Sequence, residues 1–72
     1  KFLKKFDIIF LDPPFKDKNI NLLINQIINQ KILNENGIIL IHRHKMDDIE
    51  ITSKLNILDN RKYGISKIII GN

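Results

Sequence analysis

Seventy-two residues with no cysteine limit this chain to one domain with a small core, and exclude a disulfide framework or a thiolate metal site. No apolar run approaches the roughly 20 residues needed to span a bilayer and no signal peptide is visible, so a soluble, cytoplasmic chain is expected. The net charge of +4 fits an anionic partner such as nucleic acid, but heavy use of Ile, Lys and Asn without any Ala or Val is a codon bias that raises lysine by itself.

The chain starts on Lys1, not Met, and enters its first apolar run almost at once, which points to a piece of a longer protein. Lys1, Lys4 and Lys5 precede that run and are expected at the edge away from any site. Phe6 to Leu11 is apolar except for Asp7, too short for a helix, and reads as a strand buried on both faces. Pro13 and Pro14 stop it, since neither donates a ladder hydrogen bond and each restricts the residue before it.

From Asn19 the period changes. Ile20, Leu23, Ile24, Ile27 and Ile28 fall on one stripe of an amphipathic helix, with Asp17 or Asn19 as its cap. Asn34-Glu35-Asn36-Gly37 reads as a turn, followed by a second strand over Ile38 to Ile41 that ends in polar residues. Strand, helix and strand within about 35 residues form a right-handed parallel βαβ unit. Ile49 and Ile51 lie in a polar stretch that holds a short helix or a turn. Lys54 to Leu58 alternates, Asp59-Asn60 signals a turn, and Ser66 to Ile70 is a final strand pairing antiparallel with its predecessor. Tyr63-Gly64 is expected as a turn with Tyr63 partly buried.

In an open α/β sheet, ligands bind beyond the carboxyl ends of the parallel strands, which is where Asp12-Pro13-Pro14-Phe15 falls. The cluster suits a nucleobase exocyclic amine, whose lone pair is delocalised into the ring. The Asp12 carboxylate and the Pro13 carbonyl would accept its two N–H groups and aim the lone pair outward, while Phe15 offers a stacking face. The gain would come from positioning and fixed dipoles. A plain turn with an Asp cap and a returning Phe is the competing reading.

Asp12-Pro13-Pro14-Phe15 after an apolar strand looks like the motif of S-adenosylmethionine-dependent amino methyltransferases. FDIIFLDPPF, the Ile-rich helix, NENGIILI and RKYGISKIII together resemble the C-terminal half of the RsmD family, bacterial small-subunit rRNA guanine-N2 methyltransferases. The resemblance covers essentially the whole chain as a single partial domain, 1–72. It implies an α/β fold, the C-terminal half of a Rossmann-like methyltransferase, whose mixed sheet has a parallel βαβ start and an antiparallel C-terminal hairpin. It implies catalytic roles for Asp12, Pro13 and Phe15 on a flipped-out guanine. S-adenosylmethionine would be bound mostly by the first half of the fold, because Gly37, Gly64 and Gly71 stand alone and nothing here matches the Gly-rich cofactor loop. The fragment by itself is therefore expected to be inactive. Relatives of this kind carry an acidic residue at the end of the strand reading GIILIH, where this chain has His42.

Pro14, Lys16, Lys18, Arg43, His44 and Lys45 lie on the same sheet edge as Asp12 and are assigned to substrate binding, as a rim for rRNA phosphates in the small ribosomal subunit. Solvated surface is the plainer reading of these charges. His42 and His44, with Asp47 and Asp48 following, invite a metal, but Met46 stands where metallo-hydrolase spacing needs Asp, so no metal is assigned and both histidines are expected to be exposed. A DNA adenine-N6 methyltransferase fragment shares the motif and its chemistry, and an inactive RNA-binding remnant is a further alternative. Cutting such a fold before its fourth strand leaves Ile8 to Leu11 as an open edge, so the isolated fragment is expected to self-associate through it.

Overall fold

The computed structural model describes residues 4–72, so Lys1 and its two successors lie outside the described residues. Five elements follow in order: β1 (Phe6–Leu11), α1 (Ile20–Asn29), β2 (Leu33–His44), β3 (Ile57–Tyr63) and β4 (Ser66–Gly71). They form a four-stranded sheet in the order β1-β2-β4-β3. β1 and β2 are parallel, and β4 runs antiparallel to both β2 and β3. This is the α/β mixed sheet expected of a C-terminal methyltransferase half.

α1 is rich in β-branched residues, which lose side-chain freedom in a helix, so packing holds it more than propensity does. Its Ile20, Ile24 and Ile27 are buried against Ile39 and Ile41 of β2, Ile69 of β4 and Leu55. Each buried Ile contributes about 1.5–3 kcal/mol. Leu23, placed on the same stripe by the sequence, is instead exposed. Neither expected cap acts as a side-chain cap. Asn19 holds the N-cap position with no side-chain bond, and the Asp17 carboxylate accepts from the Asn19 N–H in a preceding turn.

Several expectations shift for identifiable reasons. β1 is not buried on both faces, because it is the sheet edge and α1 covers one side; Ile8 and Phe10 are exposed. Asn34 to Gly37 belongs to β2, in an irregular stretch where the pairing passes from Phe6–Leu33 to Ile8–Ile38. A Cβ on Gly37 would come within 2.7 Å of Leu33, so glycine allows that close approach. β2 also runs on through His42-Arg43-His44, because β4 pairs with it as far as His44–Ser66.

Asp59-Asn60 lies within β3, and the reversal occurs at Gly64-Ile65, where Gly64 has φ +57°. Tyr63 is exposed rather than partly buried. Residues 45–56 contain turns but no helix. Asn21 on α1 fastens this segment: its Nδ2 donates to the Glu50 carbonyl and its Oδ1 accepts from the Thr52 N–H. That brings Ile49 and Ile51 against the core. Among the described residues no helix is long and apolar enough to cross a membrane.

Candidate active site

Parallel pairing of Leu11 with Ile41 brings the ends of β1 and β2 side by side, so the residues that follow each strand meet across the sheet edge. A cavity of about 210 Å³ opens there, lined by Asp12, Pro13 and Phe15 after β1, by His42, Arg43 and His44 of β2, and by Ile65 and Ser66. The Pro14 carbonyl is taken by the Asp17 N–H in a turn, at 3.1 Å. Phe15 stands edge-on to His44, with ring centroids 5.3 Å apart and planes at 72°. Lys16 extends its ammonium over the Phe15 ring, 5.5 Å from its centroid.

The loop that carries Phe15 is tied down from below. Lys16 adopts φ +55°, a left-handed conformation disfavoured for a residue with a Cβ. Its N–H donates to Asp47 Oδ2 at 2.8 Å, which holds that conformation in place. Asp47 Oδ1 accepts from Arg43 Nη2 and from the Ile49 N–H, and Arg43 Nη1 donates to the Ile49 carbonyl at 2.6 Å. Lys67 Nζ donates to the Asp47 carbonyl. Burial alone would raise the Asp47 carboxyl, but the hydrogen bonds from Arg43, Ile49 and Lys16, with the Arg43 charge, hold it below its ordinary value.

The sequence-predicted residues therefore divide. Asp12, Pro13, Phe15 and His44 meet at the cavity, while Lys16, Lys18 and Lys45 are exposed around it or beyond it. Arg43 is corrected: it is only 3% exposed and paired with Asp47, because its strand position shares the helix-facing side with Ile39 and Ile41. It braces the site and does not face a phosphate. His44 Nδ1 accepts the Met46 N–H, and its ring leans on Phe15.

Two residues of the site were not legible beforehand. His42 is not simply exposed: Nδ1 lies 2.9 Å from Asp12 Oδ1, and Nε2 lies 2.9 Å from Ser66 Oγ. Asp47 is the other, a buried carboxylate joining three segments. The signal for His42 lay in its place at the end of the strand next to Asp12; that for Asp47 lay in Arg43, four residues before it.

No three His, Cys, Asp or Glu side chains converge as a metal set among the described residues. Gly37 sits in β2, Gly64 in the hairpin and Gly71 at the end of β4, so none of them forms a loop between a strand and a helix. What the site does present is an accepting carboxylate, the backbone of a Pro-Pro turn and an aromatic face, with the His42 and Ser66 side chains beside them.

Residues 2–72 match the family model described as conserved hypothetical protein 95. This chain belongs to that family. An uncharacterized methylase of Rickettsia prowazekii is 30% identical over 67 residues, which are 93% of this chain and 28% of the relative. A conserved hypothetical protein of Streptococcus pyogenes superposes with a TM-score of 0.78 at 29% identity, over 97% of this chain and 44% of its own. A candidate methylase of Haemophilus influenzae gives 0.72 at 22% identity over 97% and 44%. A candidate methyltransferase of Escherichia coli gives 0.71 at 16% over 94% and 37%; these last two bear on the fold alone. The chain thus spans less than half the length of this relative and of these structures, and it shares the fold of the three structures.

Proposed function

We propose that this chain is the target-base part of an S-adenosylmethionine-dependent methyltransferase that methylates the exocyclic amino group of a guanine in small-subunit rRNA. The observation that carries the reading is the cavity at the ends of β1 and β2, where the Asp12 carboxylate, the Pro13 backbone and the Phe15 ring stand together. The methylase relative supports methyl transfer as the chemistry, and the accepting Asp12 carboxylate supports an amine as the acceptor.

In this account the flipped base stacks on Phe15. Asp12 and the Pro13 carbonyl take the two amine protons, which favours a pyramidal nitrogen and directs its lone pair away from them. The Asp47 clamp keeps the Phe15 loop in place during this, so little reorganisation accompanies the reaction. Lys16, Lys18 and Lys45 supply positive charge for the RNA backbone. S-adenosylmethionine, when bound, supplies the methyl group, and its pocket is assigned to the part of the relatives that lies outside the matched stretch.

The test is the identity of the product. The whole protein carrying this chain, given labelled S-adenosylmethionine with undermethylated small ribosomal subunits, free rRNA and DNA, should yield N2-methylguanine in subunits or rRNA. N6-methyladenine in DNA would replace the base and the polymer in this account. Tight RNA binding without transfer would replace the enzyme with a binding remnant.

A further inference from the structure

Both ring nitrogens of His42 are engaged, and their partners come from different strands: Asp12 from the end of β1 and Ser66 from the start of β4. An ionised carboxylate only accepts, so at 2.9 Å Nδ1 carries a proton and donates it to Asp12 Oδ1. A neutral ring then accepts the Ser66 O–H at Nε2, and a cationic ring donates Nε2–H to Ser66 Oγ. The serine hydroxyl serves either state, so the imidazole keeps both contacts when it gains or loses charge.

The Asp12 side chain is 62% exposed at a strand end, so burial does not hold it in one rotamer. Capture of an amine in one orientation requires that its acceptor be held within about 0.5 Å. We propose that His42 is a positioning residue for that acceptor: it occupies Oδ1, stops rotation of the carboxylate and leaves Oδ2 for the substrate amine, while Ser66 fixes the imidazole. The inference rests on the methyl-transfer reading of the site.

The experiment uses the whole protein carrying this chain, with His42→Ala, His42→Gln, His42→Asn and Ser66→Ala variants. An Asn amide reaches the place of Nδ1 and restores donation to Asp12, whereas Gln reaches toward Ser66 and does not. Ala and Gln should lower kcat roughly 10- to 100-fold, the value of a charge-assisted hydrogen bond, with KM little changed. Asn should stay within a few-fold of wild type. Wild-type kcat in His42→Ala, or equal losses in Asn and Ala with the fold intact, would overturn the proposal. Nitrogen shifts of the His42 ring at alkaline pH decide separately from activity. A Nδ1-protonated tautomer that is lost in Asp12→Ala is expected, and a Nε2-protonated tautomer overturns the proposal. A wild-type protein that methylates no nucleic acid sinks the functional reading alone, and the tautomer still decides the inference.

Discussion

Asp47 stands only 2% exposed and takes hydrogen bonds from Lys16, Arg43 and Ile49, so its negative charge depends on the folded state. Its folded carboxyl titrates below the ordinary value of 3.8. The stabilisation is therefore present above that value and is lost as pH falls through the lower folded one. Asp47→Asn should cost about 3 kcal/mol in a denaturant titration at neutral pH, because Arg43 is left buried without its partner charge. The variant's stability should also fall less steeply on acidification. An unchanged midpoint with an unchanged acid limb would remove Asp47 from the account. Phe15 is 58% exposed and makes its main contact with His44, so Phe15→Ala should leave the fold intact. It should weaken binding of the target base by about 1–3 kcal/mol, read as a raised KM. Asp12 was legible from sequence because a buried run, an acid and two prolines are contiguous. The contacts of His42 with Asp12 and of Asp47 with Lys16 were not, since these pairs lie 30 and 31 residues apart and are set by strand register and loop path.

The reversal between β3 and β4 turns on Gly64-Ile65, with positive φ at the first position only, the pattern of a type II′ hairpin. No heavy atom lies within 4 Å of a Cβ built on Gly64, so a substitution there is resisted by the backbone and not by space. Gly64→Val should destabilise by about 1–2 kcal/mol, measured as a shift in the denaturation midpoint. No shift would mean that the hairpin reverses elsewhere. The alternation of apolar runs and a 3.6-residue period made the parallel βαβ start and the closing hairpin readable. Element ends were less so. Turn-forming residues at Asn34-Glu35-Asn36 and Asp59-Asn60 lie inside strands because neighbouring strands and irregular pairings outweigh local preference. Isoleucines on β1 could not announce that one face lies open, since burial there depends on what stands beside the strand.

At the scale of the molecule, β1 has a partner on one side only among the described residues, and Phe6, Ile8 and Phe10 are exposed along it. An apolar cavity of about 260 Å³ lined by Phe6, Ile8, Ile9 and Ile32 lies at the same edge. Unpaired, uncharged edges associate with other chains. The isolated 72-residue chain should therefore self-associate in sedimentation experiments, and Ile8→Lys should shift it toward monomer. A monodisperse wild-type monomer at high concentration would contradict this. In the whole protein that edge is proposed to be covered by the part of the fold outside the matched stretch, which unites the cofactor side and the amine side of the reaction. The most direct test of that union compares wild type and Asp12→Ala of the whole protein on undermethylated small subunits with labelled S-adenosylmethionine. The account predicts N2-methylguanine from wild type and a loss of at least roughly 100-fold in the variant, with its fold and cofactor binding unchanged. Equal transfer by both proteins would contradict it and leave the Pro-Pro turn as architecture.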